Sequence, residues 1–556
     1  MYSTLRSVLL VGTLLVLSLS PNSQAAETNE FTAQRIVAFG DVHGANDALV
    51  GLLQANKIID SALHWQAGRT HLVSVGDLLD RGPDSRATMD LLIRLQVEAR
   101  AAGGRVHVVL GNHEALNLMG DLRDVSAAEY AAFATDPLSP TVAQSASDIQ
   151  SADQPAGYLQ HRAAFAPTGT YGRWLLSLPA MIKINRTLFT HGGLPPLVGE
   201  LGIDEINANI RSGLLTAIRA RDPDAALPPE LDGSGPLWYR GTAVCHPILE
   251  TQNLSQVLSA TGADRVVIGH TPTASRQIES RLNERVISID TGMLYDFYRG
   301  AAFALELSGA SVRTLSAEGS TDSIAWSDSL LLVPAAQEAQ LAERLAANEL
   351  VAAEKSANIE GTPVSVMLNS GQIFKGSFFK ASKREANNAV ATWRLDRKLG
   401  LHMVPITLKH KLGRRSGYVQ FSPGRWLTER SRLEREINRP NYCATGHAYD
   451  LVAAFDAITG ADPRSASSLS YNTRSWALRV TDSHKTFSTR RQLRNYPVTP
   501  TLPNVLAARL SDLTEQELSA LTGDLLTKPQ LKAIRARLAQ TLAWPKSGLK
   551  TVAGSQ

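Results

Sequence analysis

His71-Leu72-Val73-Ser74-Val75 runs straight into Gly76-Asp77-Leu78-Leu79-Asp80-Arg81-Gly82, and the reading of this junction decides the fold. A short apolar run closed by glycine reads as a buried strand, and the loop after it carries two carboxylates and an arginine. The same grammar recurs outward along the chain. Arg35–Phe39 ends in Gly40-Asp41-Val42-His43-Gly44, and Arg105–Leu110 ends in Gly111-Asn112-His113-Glu114. Thr187–Thr190 ends in His191-Gly192-Gly193, Arg265–Ile268 in Gly269-His270-Thr271, and Arg285–Ile289 in Asp290-Thr291-Gly292. Amphipathic stretches lie between the runs. One opens at Pro83-Asp84, shows Met89, Leu92, Ile93 and Val97 on its apolar face, and stops at Gly103-Gly104. Strands alternating with helices predict an α/β layered domain over residues 34–315, with its chemistry at the carboxyl ends of the strands. The Ser-, Ala- and Pro-rich stretch Ala134–Gln160 reads as an insertion or cap loop.

Composition bounds the rest. A chain of 556 residues suggests two to four folding units. With 44% hydrophobic and 19% charged residues, a largely disordered chain is excluded. Lys and Arg number 56 against 52 Asp and Glu, a net charge of +4, which points to no nucleic-acid partner. Cys245 and Cys443 are too few for a disulfide framework or a Cys-built zinc module. Two lone cysteines so far apart read first as separate thiols, with a pair left open for an oxidising compartment. Met1–Arg6, the apolar run Val8–Val16 continuing to about Leu19, and Pro21-Asn22-Ser23-Gln24-Ala25-Ala26 have the three parts of a signal peptide over residues 1–25. The expectation is a periplasmic or secreted protein with no integral membrane span after cleavage; an uncleaved anchor is the alternative.

Each strand-end motif alone reads as an ordinary turn; their succession does not. Carboxylate, imidazole and amide oxygen donors suit a borderline divalent ion such as Mn, Fe or Zn, whereas an all-oxygen set suits Mg or Ca. Asp41, His43 and Asp77 are assigned to one ion, and Asp77, Asn112, His191 and His270 to a second, with Asp77 bridging. A hydroxide between two such ions is the expected nucleophile for a phosphoester. His113 is placed to protonate the leaving oxygen, Asp80 to hold the His113 ring, and Arg81 and Arg240 to bind phosphate oxygens together with Asn112. Glu114 reads as an orienting residue.

Taken in order, these motifs resemble the calcineurin-like metallophosphoesterases. Gly76–Gly82 and Gly111–Glu114 match the phosphoprotein-phosphatase branch. Asn117-Leu118-Met119-Gly120-Asp121 and Trp238-Tyr239-Arg240-Gly241 are similar to the Shewanella-like bacterial phosphatases. The resemblance implies a four-layer αββα sandwich, a dinuclear metal centre and hydrolysis of phosphomonoesters. It also implies phosphotyrosine or phosphoserine/threonine in proteins or peptides as substrate, small phosphoesters remaining open. A phosphodiesterase or nucleotide hydrolase using the same centre, and a non-enzymatic phospho-ligand receptor, are the alternatives.

Beyond a polar stretch at Ser316–Ser327, Ala335–Lys355 reads as a connecting helix, giving a linker and helix over 316–360. A hairpin is expected from Val364–Leu368 and Gln372–Ala381, helices at Asn387–Leu399 and Tyr449–Ile458, and two more in Val505–Thr541. Leu395–Pro405 is similar to a segment of HipA-like and phosphoinositide-kinase-like atypical kinases. That likeness implies an α+β kinase-like accessory domain over 361–541, with Lys380 as the phosphate-contacting lysine, Asp462 with Arg464 as a catalytic loop and Asp482 as a metal-binding carboxylate. Ala389 stands where the lysine's Glu partner belongs, Pro463 interrupts Asp462-Arg464, and Ser467 or Ser468 replaces a metal-binding Asn. A degenerate binding or regulatory module is therefore expected, an active kinase and an unrelated α+β domain being the alternatives.

Overall fold

The structure, a computed structural model, describes residues 29–547 except 139–153, 221–225, 322–323, 327–334, 354–360, 422–425, 440–442, 444, 463, 473–475 and 495–499. The expected signal peptide, Pro463 and the middle of the cap loop lie outside the described residues.

Among the described residues, two sheets face each other in the first domain. One has six strands in the order Ser320–Thr321, Ser311–Leu315, Ala304–Ser308, Arg35–Phe39, His71–Ser74, Arg105–Val108. The other has seven: Glu30–Phe31, Met181–Ile184, Thr187–Thr190, Arg265–Ile268, Val286–Ser288, Glu279–Arg281, Ala325–Trp326. The motif-bearing strands pair in parallel, Arg35–Phe39 with His71–Ser74 and that strand with Arg105–Val108, and likewise Thr187–Thr190, Arg265–Ile268 and Val286–Ser288.

Side-chain alternation explains the four layers. Ile36, Ala38, Val73, Phe189, Val267 and Ile287 point into the core between the sheets. Their neighbours Val37, Phe39, Leu72, Leu188, Val266 and Val286 point outward into the core beneath the helices. The helix Ser85–Ala101 covers one outer face and buries Met89, Leu91, Leu92, Leu95 and Ala99. Val97, expected on the apolar face, is instead 70% exposed, because the buried stripe runs through Leu91 and Leu95.

The second unit is α+β. Its main sheet has five antiparallel strands, Val351–Ala352, Thr362–Met367, Ile373–Lys380, Arg415–Phe421 and Ile406–Leu412, so the expected hairpin is present. The helix Lys383–Lys398, opened by a Ser382/Glu385 capping box, packs on that sheet. The linker expectation is corrected at both ends. Ser320–Thr321 and Ala325–Trp326 still pair with first-domain strands. The helix Ala335–Ala347 buries Leu341, Ala342 and Leu345 in the core of the second sheet, so it belongs to the second unit. The tail forms three helices, not two: Asn504–Ser511, Glu515–Thr522 and Lys528–Leu542, because Thr514 and Thr527 each start a new capping box.

The two units are joined by more than a linker. Cys245 and Cys443 form a disulfide, correcting the expectation of separate thiols. His246 Nε2 donates to Leu401 O at 2.9 Å, and Ile248 and Leu249 enter the second unit's apolar core.

Candidate metal centre

Five loops bring the expected residues into one pocket at the carboxyl ends of the strands. Asp77 is its hub. Its Oδ2 lies 3.1 Å from His191 Nε2, 3.7 Å from His43 Nε2 and 3.9 Å from His113 Nε2. Its Oδ1 accepts the His113 backbone N–H at 3.0 Å. Two groups of possible ligand atoms share Asp77, those within each group lying within 4.8 Å of one another: His43, Asp77 and His113, and Asp77, His191 and His270. Asn112 Oδ1 faces His191 Nε2 at 2.9 Å. Asp41 stands in the same pocket and accepts the His270 backbone N–H on both oxygens, at 3.0 and 3.1 Å.

The backbone bends sharply to achieve this. His43, Asp77, Asp80, Arg81 and His270 all have positive φ, between 47° and 70°. Such left-handed residues carry strain of order 1–3 kcal/mol each and persist where the surroundings hold them. Glu114 supplies part of that hold, as expected: it accepts the backbone N–H groups of Asp77, Leu78 and Gly111. Close approach explains two glycines. A Cβ on Gly111 would lie 2.4 Å from Asp77 Oδ1, and one on Gly269 2.4 Å from Asp41 Oδ1.

Donor chemistry fits divalent cations. His43 Nδ1–H donates to Leu79 O and His191 Nδ1–H to Val75 O, both at 2.8 Å, which fixes the tautomers and aims each Nε2 lone pair into the pocket. Carboxylates here repel one another: burial and Asp290 push Asp41 well up, and burial raises Asp290 to about 6. Burial drives His43 down to about 3, so it stays a neutral donor. Against burial, Asp77 and Asp41 push His191 up to about 9. A proton on its Nε2 then answers Asp77 Oδ2 and Asn112 Oδ1, the place a cation would take.

His113 Nδ1–H donates to Asp80 Oδ2 at 2.6 Å, and Asn117 donates to the other Asp80 oxygen at 2.8 Å. Burial opposes it, but Asp77 and the Asp80 bond raise the His113 pKa, as a proton donor requires. Arg81 donates to His43 Nε2 at 2.8 Å and to the Tyr298 hydroxyl. Arg240 donates to His270 O at 2.9 Å and Thr271 Oγ1 at 3.0 Å, so it reaches the pocket instead of the surface. Asp290 and Tyr298 were given no role by sequence reasoning. Asp290 carried a signal, since it ends a strand as Asp41 does. Tyr298, stacked on His43 with centroids 5.6 Å apart, carried none.

The kinase-like positions are partnered differently. Lys380 is exposed, Asp462 pairs with Arg494, and Asp482 pairs with Lys485. Arg464 is turned onto Asp456, and Ala389 packs on Tyr418.

Residues 34–274 match the family model for calcineurin-like phosphoesterase. Shewanella-like protein phosphatase 1 of Plasmodium berghei is 32% identical over 262 residues, 47% of this chain and 67% of that protein. The cold-active protein-tyrosine phosphatase of a psychrophilic Shewanella species is 27% identical, with 53% of this chain and 81% of that one covered and a TM-score of 0.41. Hydra Fam20 is 13% identical, with 38% of this chain and 89% of that one covered and a TM-score of 0.29. The motif order, the shared Asp77, the family model and the Plasmodium relative agree: the chain belongs to the calcineurin-like phosphoesterases.

Proposed function

We propose that this phosphatase is exported and hydrolyses phosphomonoesters, with phosphotyrosine or phosphoserine/threonine in proteins or peptides as the substrate class. The observation that carries the reading is the convergence of three imidazole nitrogens on one carboxylate oxygen, Asp77 Oδ2. Asp41, His43 and Asp77 would hold one divalent ion, and Asp77, Asn112, His191 and His270 the other. Bound there, Mn, Fe or Zn supplies charge neutralisation and an activated water for in-line attack. The remaining steps belong to side chains. Arg81 and Arg240 orient the phosphate oxygens, His113 delivers its Nε2 proton to the leaving oxygen, and Asp80 keeps the ring in that tautomer.

The names of the relatives support a phosphoprotein or peptide substrate, and the signal-peptide pattern of residues 1–25 supports export. The Cys245–Cys443 bond is in keeping with an oxidising compartment, periplasmic or secreted. Among the described residues no helix is long and apolar enough to cross a membrane. The second unit is proposed as an accessory module that braces the Arg240 segment, since Cys245 and His246 lie just beyond it in sequence. A panel of phosphopeptides, aryl and alkyl monoesters and diesters tests the substrate class. Monoesters should turn over fastest; faster turnover of diesters or nucleotides would replace this reading with the phosphodiesterase one.

A further inference from the structure

Asp80 and Arg81 are both left-handed, with φ of 70°, and three of the polar groups of Asp80-Arg81-Gly82 are satisfied from a single neighbouring segment, residues 124–129. Arg81 N–H donates to Asp124 O at 2.9 Å. Ser126 Oγ donates to Gly82 O at 2.9 Å while accepting the Glu129 backbone N–H at 3.0 Å. The Asp80 N–H is received at 3.1 Å by Oε2 of Glu129, on the short helix Ala127–Ala131.

Glu129 is an improbable residue for that place on stability grounds. It is fully buried, and its Oε1 has no well-formed hydrogen bond among the described residues, the Ser85 hydroxyl standing near enough only to offset part of the cost of burial. The nearest imidazole nitrogen, His161 Nε2, lies 3.9 Å away, too far for one. His161 is also fully buried, with both ring nitrogens unpaired, and is caged by Tyr130, Phe133 and Phe165 with centroids 4.3–5.1 Å away. Unsatisfied buried groups of this kind destabilise the folded state, and an apolar residue at 129 would avoid the penalty. What an apolar residue cannot do is accept the Asp80 N–H.

We infer that Glu129 is a positioning residue for proton delivery: it pins the left-handed Asp80 backbone so that the Asp80 carboxylate meets His113 Nδ1. Burial and the Asp80 carboxylate push Glu129 up to about 8, so at neutral pH it acts as an uncharged acceptor that glutamine can copy. Burial likewise keeps His161 neutral, down to about 3. The inference rests on the phosphomonoesterase reading and adds a residue that contacts neither substrate nor cation.

The test compares two esters of unequal leaving group, 4-nitrophenyl phosphate, which needs little protonation, and an alkyl phosphate, which needs it fully. Glu129→Asp, one methylene short of Asp80 N, should lower kcat on the alkyl ester about 10–100-fold and on the nitrophenyl ester less than about threefold. KM and bound metal per chain should not change, and Glu129→Gln should stay within about threefold of the wild type on both esters. Ser126→Ala, which loosens the same turn at Gly82, should shift the leaving-group ratio in the same direction by a smaller amount. It serves as the second approach if Glu129→Asp folds poorly. Phe133→Leu loosens the cage without touching Asp80, so it should lower Tm and leave the ratio unchanged. An equal loss on both esters, a Gln variant as slow as the Asp variant, or a ratio moved by Phe133→Leu would overturn the inference. A wild type inactive on both esters would instead remove the phosphatase reading, and this inference with it.

Discussion

The chain carries two sets of residues with catalytic precedent by sequence pattern, one in each half, and the structure treats them in opposite ways. In the first domain Asp41, His43, Asp77, Asn112, His191 and His270 are buried, lie at the ends of strands fixed by a double core, and are oriented by partners such as Leu79 O and Val75 O. In the second, Lys380 is exposed and Asp462 and Asp482 are each neutralised by a nearby cation. Functional chemistry needs side chains that converge and are held; matching residue types in matching order is not enough.

The largest effect that would break this comparison is at Asp77. Asp77→Asn keeps the shape but removes the charge that both cation groups share. kcat on an aryl phosphate should fall by at least about three orders of magnitude, or roughly 4 kcal/mol of transition-state stabilisation. Chelation of the wild type should do the same, and added Mn, Fe or Zn should restore activity to the wild type but not to the variant. Retained turnover in the variant would mean that the buried cluster is structural, no different in kind from the second domain's positions.

His113→Ala comes next. It leaves the cation-holding atoms of the proposed set in place and removes the proton donor, so kcat should fall about 10²–10⁴-fold while KM changes little. Asp80→Asn should be milder, because the imidazole remains but loses its orienting charge. A KM effect larger than the kcat effect would move His113 from proton delivery to substrate binding.

How much of this was visible in the sequence follows from the same physics. Strands buried on both faces are continuous apolar runs, so Arg35–Phe39, Thr187–Thr190 and Arg265–Ile268 have the expected bounds in the structure. The residues that gather around Asp77 were legible because each sits just after such a run. Glu129 and Tyr298 were not, since they reach the site from helices distant in sequence, and no spacing encodes that meeting. The Cys245–Cys443 bond escaped for the same reason, with 198 positions between its ends. In the second unit the hairpin was legible because its pairing is local, whereas the domain edge was not. An amphipathic helix such as Ala335–Ala347 does not state which core it covers.

The seam between the halves offers a smaller effect. His246 caps the helix Pro247–Thr261 by accepting the Ile248 N–H on Nδ1, and Nε2–H donates to Leu401 O. Both nitrogens are therefore used in the neutral form, and burial drives the pKa down to about 4. Because the unfolded chain binds this proton more readily, stability is fully present above about pH 6.5 and is lost as pH falls toward 4. The total is on the order of 3 kcal/mol. His246→Asn, which still caps the helix, should flatten that part of the denaturation profile. An unchanged slope would place the acid sensitivity in the other buried histidines and leave the seam inert.

The smallest expected effect is the sharpest test of the second region. Lys380→Ala removes an exposed cation, and Asp482→Asn keeps a residue type that tolerates the left-handed φ of 56° found there. Exposed ion pairs such as Lys485 with Asp482 contribute about 0–1 kcal/mol. Each variant should therefore sit within about 0.5 kcal/mol of the wild type in stability and match its phosphatase kcat. ATP with Mg or Mn should shift the Tm of none of the three proteins, because Lys380 is exposed and Asp462 and Asp482 are already paired with cations of the chain. A Tm rise with ATP in the wild type, lost in Lys380→Ala, would show that this half also gathers its residues once ligand arrives. The contrast between the two regions would then be one of preorganisation, not of competence.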